Sequence, residues 1–260
     1  MHLPSLALLL TCQTASVDAP TTTASPAPAP DGAALVQECY KKVELTASSI
    51  PNMRAGRQTC EAALQVPSLT ERQRFEAWLN IARAHLRSGD LLAGDGAVAE
   101  YELGRKAAQQ AMALDPRSAD AIFWDVANLA SIGQTRGVMK SLFMLPEIKA
   151  SLHRALELNP GHSYARQTLA KVYHKVPRIA GGDDDLAEKL LLETLTRDPG
   201  WTPAMVVLAQ LYVDQDRHEE ARVWIEKVIA MPSSSSSIPH DHWRFDVPDA
   251  KKLQQRVEGK

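Results

Sequence analysis

An all-α, right-handed stack of about five helical hairpins, closed by a C-terminal capping helix, is the fold this sequence predicts. Three observations predict it. Alanine and leucine dominate while aromatics make up only 5%, a composition that favours helix. A large apolar residue followed by alanine recurs at Ile81-Ala82, Val126-Ala127, Leu169-Ala170 and Leu208-Ala209. A proline closes each unit, at Pro116, Pro160, Pro199 and Pro232. Small residues at fixed positions let two helices approach, and large ones fill the space between neighbouring hairpins. Proline disfavours helix at the residue before it. Ser118, Ser163 and Thr202 then stand where a helix N-cap is wanted. One hairpin cannot bury its apolar face alone, but a stack can.

The elements follow in order. Residues 1–12, MHLPSLALLLTC, hold a short apolar stretch, Leu3 to Leu10, of signal-peptide length and too short to span a bilayer. Its Leu-Leu-Thr-Cys end resembles the lipobox of bacterial lipoproteins. That resemblance implies lipid on Cys12, which becomes the first mature residue. Thr11 departs from the usual small residue, and no Lys or Arg precedes the core; a degenerate export signal or a late start codon is the other reading. Residues 13–31 are rich in Thr, Ala, Pro and Ser and cannot bury a core, so they read as a disordered tether. Such a tether holds a folded domain off a membrane surface. The expected location is therefore an exported, membrane-anchored lipoprotein facing the periplasm.

The solenoid is expected over residues 32–232. A degenerate first unit runs from about Ala33 to Pro67. It holds Cys39 and Cys60, at similar distances from a turn near Ser48 if its helices are antiparallel. In an exported protein an even pair suggests a disulfide; two buried thiols is the alternative. Pro232 and Ser233–Ser237 read as a flexible link, so residues 233–260 form an appendage ending in a short helix.

The stretch IAGGDDDLA, residues 179–187, looks at first like a functional loop. A calcium loop needs alternating oxygen ligands, not three adjacent ones. Leu169, Ala170 and Tyr173 lie on one helix, and Ala187, Leu191 and Thr194 on the next, so GGDDD is the turn between them. Glycines permit positive φ, and aspartates cap the new helix and complement its dipole. GQTRGVMKS at 133–141 lacks P-loop spacing. His240 and His242 lack a nearby third ligand. No metal, cofactor or catalytic pair is expected, and with net charge −2 and no basic stretch, no nucleic acid.

Trp78, Ile81, Ala82, His85 and Gly89-Asp90 in one helix, then Gly104, Ala108, Ala111 and Pro116 in the next, resemble the tetratricopeptide repeat (TPR), a 34-residue helix-turn-helix unit. The resemblance covers about residues 33–232. It implies a non-enzymatic scaffold that binds another protein in a concave groove lined by the first helix of each unit. Carried over by alignment, the groove residues are Asn80, Arg83, Arg87, Asn128, Gln167, Lys171, Lys175, Gln210 and Asp214. Paired Arg and Lys would favour a peptide with acidic groups or a free carboxylate.

The first three units are longer than the family's unit, and the extra length is expected between their helices, on one edge of the stack. The middle insertion, residues 134–146, carries Val138, Met139, Leu142, Phe143 and Met144. They read either as extra core packing or as an apolar lip around a ligand or partner site. More narrowly, NLASIGQTRG, LELNPGHSYARQTLAKVYHKVP, GGDDDLA and DQDRHEEA make residues 124–229 similar to the T component of TRAP transporters. That resemblance implies an accessory role in solute uptake, with a periplasmic solute-binding subunit or an apolar ligand as partner.

Overall fold

The computed structural model describes residues 31–46, 49–238 and 242–259. Cys12, residues 13–30, His240 and the side chain of His242 lie outside the described residues. Among the described residues, ten helices form five hairpins, and an eleventh follows. The first hairpin is α1 (Gly32–Tyr40), continued by a π-turn at Lys41–Leu45, and α2 (Ile50–Leu64). The second is α3 (Glu71–Gly89) and α4 (Gly94–Leu114); the third is α5 (Ala119–Arg136) and α6 (Val138–Leu158). The fourth is α7 (Ser163–Lys175) and α8 (Asp184–Arg197), and the fifth is α9 (Thr202–Asp214) and α10 (His218–Ala230). Helix α11 (Val247–Glu258) closes the stack. Within the same residues there is no strand, and no helix is long and apolar enough to cross a membrane.

The small residues do what the spacing implies. Ala82, Ala108, Ala121, Ala155, Ala170 and Ala209 are all buried. A Cβ on Gly89 would lie 2.3 Å from the Tyr101 ring, and one on Gly104 would lie 2.2 Å from Asn128 Oδ1. Between hairpins, aromatic rings make the joints. Phe123 stacks on Tyr164 at 5.4 Å, and Tyr164 meets Trp201 edge-on at 4.6 Å. The apolar core runs in two long stretches that meet in α7, where Leu169 belongs to one and Ala170 to the other, and a smaller cluster joins Ala97, Val98 and Tyr101 of α4 to Ile132 of α5.

Helix starts differ in part from expectation. Ser118 caps α5 through its hydroxyl, which accepts from Ala121 N–H. Ser163 does not cap α7; the His162 ring Nδ1 accepts from Ala165 N–H instead. Thr202 is the first residue of α9, and its hydroxyl donates to Asp246 at 2.5 Å. That bond draws the C-terminal segment onto the fifth hairpin. Ser233–Ser237 is correspondingly not a free link. Ser236 is buried, Ser237 N–H donates to the Gly200 carbonyl at 3.0 Å, and Ser237 also bonds Asp198. Helix α11 buries Ala250, Leu253 and Val257 at the end of the core.

The extra length is also placed differently. In the third of these units it forms the loop between α7 and α8, but in the first two it is mostly helical. It lengthens α4 and α6 to 21 residues each, against 13 in α9 and α10. Only Gly137, at φ 93°, separates α5 from α6, and α6 runs straight through Pro146. The ring at 146 leaves the Leu142 carbonyl without its helical donor.

Cys39 and Cys60 join α1 to α2 with their Cα atoms 5.2 Å apart, within the range a disulfide spans. The bond closes a loop with a sequence separation of 21. An unreduced digest of exported protein should yield one linked peptide pair, and Cys60→Ser should lower stability by about 3 kcal/mol. Two alkylated thiols at these positions would contradict the linkage.

Candidate functional site

The predicted groove residues lie on α3, α5, α7 and α9, and their fates differ. Asn80 is buried, and with Arg83 it lines a cavity of about 520 Å³ between α1, α3 and the start of α5. Arg83 lies over the Trp124 ring at 4.9 Å and reaches Glu44 at 3.4 Å. Arg87 pairs with Glu44 at 2.8 Å and donates to the Val43 carbonyl. The π-turn of the first hairpin therefore sits across α3, and its one carboxylate, Glu44, engages both arginines expected to meet a partner.

Asn128 is a correction. It is fully buried, filling the space that Gly104 leaves, and its Nδ2 donates to the Trp124 carbonyl at 2.8 Å. It cannot face a groove. Gln167 is also structural: its Oε1 accepts from Trp201 Nε1–H at 2.9 Å, tying α7 to the start of α9.

At the far end, Asp214 gathers four donors. Lys175 and Arg256 each reach it at 3.0 Å, His174 Nε2 at 3.1 Å and Gln210 at 2.6 Å. Arg256 belongs to α11 and also bonds Gln210 Oε1 at 3.1 Å. So α11 closes this end of the inner face, a role that periodicity at 247–258 does not reveal. His174 lies between two carboxylates, with Nδ1 2.7 Å from Asp184. Lys171 differs from its neighbours: it is exposed and, among the described residues, has no ion pair.

The GGDDD turn is built for geometry. Gly181 has φ 86°, and a Cβ on Gly182 would lie 1.7 Å from the Val176 carbonyl oxygen. Asp183 caps α8, accepting from Leu186 N–H at 3.0 Å. Among the described residues, no group of three or more His, Cys, Asp or Glu is arranged to hold a metal ion.

The five predicted lip residues divide. Val138, Met139 and Phe143 are 71%, 67% and 77% exposed. Met144 turns inward against Ile132 and Tyr101, so it is core rather than lip. Leu142 and Val138 line a second cavity of about 350 Å³ between α5, α6 and α7. Its walls are largely apolar, including Leu145, Ile148 and Val172, and Lys171 and Lys175 also line it. Two groups that the sequence keeps apart, the α7 lysines and the α6 apolar residues, thus share one cavity. Nothing in the spacing of Ile148 and Val172 marks them as cavity walls rather than ordinary core.

Residues 202–234, which contain the fifth hairpin, match the tetratricopeptide repeat profile. Two solved structures align over nearly the whole stack. A thermophilic TPR protein of Thermus thermophilus aligns with a TM-score of 0.61 at 17% identity, over 86% of this chain and 99% of that one. The pilF protein of Pseudomonas aeruginosa aligns with a TM-score of 0.51 at 15% identity, over 88% and 93%. The fold is that of a TPR solenoid. No curated protein matches the chain. In TPR terms, α3, α5, α7 and α9 are the first helices of their units, and the second cavity is walled by the third and fourth units.

The Asp214 cluster carries a pH signature. Burial alone would raise its pKa, but the hydrogen bonds from Lys175, Arg256 and His174 outweigh that and hold it at about 2, below its ordinary 3.8. A depressed carboxylate stabilises the fold above its unfolded pKa and loses that contribution as pH falls through the folded value. Thermal melts between pH 4 and pH 2 should therefore show a loss of about 1 kcal/mol, after allowing for solvent screening. Asp214→Asn should be less stable at neutral pH and flatter across that window.

Proposed function

We propose that this chain is a non-enzymatic TPR scaffold of the bacterial cell envelope. In this reading it is anchored by lipid on Cys12 and docks a partner protein at the cavity between α5, α6 and α7. The carrying observation is the cavity itself. It places an apolar wall of Leu142, Leu145, Ile148 and Val172 beside the ammonium of Lys171, which has no ion pair among the described residues. That combination suits an apolar side chain flanked by a carboxylate, presented on an extended or helical peptide. The envelope location is supported by the Cys39–Cys60 geometry, since disulfides persist in oxidising compartments. Arg83 and Arg87 have no part in this docking, because Glu44 already engages both.

A second reading rests on the same cavity. Its volume of about 350 Å³ lies within the range of small-molecule sites. An accessory component of a TRAP-type uptake system could hold an apolar ligand there, or contact a solute-binding subunit.

Affinity capture from membranes with mass spectrometry identifies the partner, and native mass spectrometry of the purified chain reveals any retained small molecule. With a partner in hand, Lys171→Glu combined with Val138→Ser should weaken binding at least about tenfold, since both a charge contact and apolar area are lost. The circular-dichroism melt should stay nearly unchanged, because both side chains are exposed. Unaltered binding by the folded variant would remove the site from this cavity. A retained apolar molecule with no protein partner would favour the second reading.

A further inference from the structure

The exposed apolar side chains are unevenly placed. Successive helices alternate direction, so turns inside hairpins lie on one edge of the stack and connections between hairpins on the other. Leu91 and Leu92 lie at the turn of the second hairpin, Val138, Met139 and Phe143 at the start of α6, and Ile179 in the fourth hairpin's turn. Their exposures run from 42% for Leu92 to 99% for Ile179. Near the connections between hairpins, among the described residues, the exposed large hydrophobics are Leu114, at 38%, and Phe245, at 46% beside the Asp246 that bonds Thr202.

We propose that this hairpin-turn edge seats on the membrane surface to which the lipid anchor ties the chain. The proposal rests on the lipoprotein reading above for the tether, and the edge itself is read from side-chain placement. Three features favour a lipid surface over a shaped partner. The apolar side chains stand at the tips of separate turns, in three consecutive hairpins, rather than lining one groove. Cations flank two of the three tips: Lys140 follows Met139 and Arg178 precedes Ile179, while Leu91 and Leu92 lie between Asp90 and Asp95. Apolar tips beside cations suit the boundary between acyl chains and anionic headgroups. The aspartates nearest Ile179 are partly occupied, since Asp183 caps α8 and Asp184 meets His174.

The chain outside the described residues sets the distance. Fully extended, the chain from Cys12 to Asp31 reaches at most about 65 Å. A 21-residue helix such as α6 is about 32 Å long. A lipid on Cys12 thus holds the solenoid within about two helix lengths of the bilayer. At that effective concentration, weak contacts at a few tips suffice.

The test uses the full chain with Cys12→Ala, so that no lipid is attached. With Cys39 and Cys60 linked, Met139→Cys on that background is the one free thiol, and Leu114→Cys provides the opposite edge. Each is labelled with an environment-sensitive fluorophore and mixed with phosphatidylethanolamine–phosphatidylglycerol vesicles. Both chains share residues 1–30, so any contribution of Leu3 to Leu10 is equal in the two.

The expected result is a blue-shifted, brighter label at position 139 and little change at 114. Met139→Ser with Phe143→Ser should lower vesicle affinity about tenfold. No shift at 139, or equal shifts at both positions, would overturn the proposal. So would a shift at 139 that grows with protein concentration in vesicle-free buffer, since a second copy would then cover the edge. Fatty-acid labelling of wild type against Cys12→Ala tests the anchor separately. Equal labelling would overturn the lipoprotein reading and leave the edge measurement standing.

Discussion

Everything in this solenoid depends on the near approach of helix backbones, which requires almost no side-chain volume at the crossing points. Gly89 and Gly104 mark the limit: a single carbon at either would overlap Tyr101 or Asn128. Alanine serves the same end elsewhere, with Ala82, Ala108 and Ala121 fully buried. Once two helices lie this close, their large side chains are pushed to the faces between hairpins. There Phe123, Tyr164 and Trp201 lock unit to unit. Close approach, within a hairpin at Gly89 and between hairpins at Gly104, and bulky packing at the joints are thus one arrangement seen from two sides.

The inner face then has to deal with the polar groups that this arrangement leaves there. At the N-terminal end, Glu44 receives Arg83 and Arg87; at the C-terminal end, Asp214 receives Lys175, His174 and Arg256. Partly buried charges are tolerated when paired, and leaving one unpaired is costly. The chain therefore closes both ends of its own groove, with the π-turn at 41–45 and with α11. In the middle, Lys171 interacts with Asp90 only at longer range, makes no close ion pair among the described residues, and lines an apolar cavity. The ends are occupied by structure, and the proposed docking would fall in the middle.

The repeat architecture was legible because it depends on local, periodic choices. Alanine after a large apolar residue and proline after each second helix fix four of the five hairpins, and Asp183 could be assigned as a cap from its place before an apolar run. What depends on distant partners was not legible. Asn128 occupies a position that faces the groove in an ordinary repeat, yet Gly104, 24 residues earlier, opens a space that draws it into the core. Ser163 loses the capping role because the buried His162 ring reaches Ala165 first. Arg87 is consumed by Glu44, 43 residues away, in a degenerate first unit that no motif describes. Each error concerns a side chain whose neighbour is set by the stack rather than by the helix.

The cavity and the exposed apolar tips share a cause in helix length. Helix α6 has 21 residues, but α7, which follows it antiparallel, has 13. The difference of eight residues leaves an overhang of about 12 Å at the start of α6. Neither α7 nor the 14-residue α8 is long enough to cover it. On its inner side the overhang meets α5 and the end of α7 imperfectly, which leaves the gap lined by Leu142, Ile148 and Val172. On its outer side Met139 and Phe143 stay largely exposed among the described residues, and Val138, also exposed, borders the same gap. A chain that needed only a stable stack would have shortened α6 to match α7, or made its first turns polar. Instead the overhang keeps its apolar residues, which packing among the described residues does not cover. The docking proposed above would supply that cover.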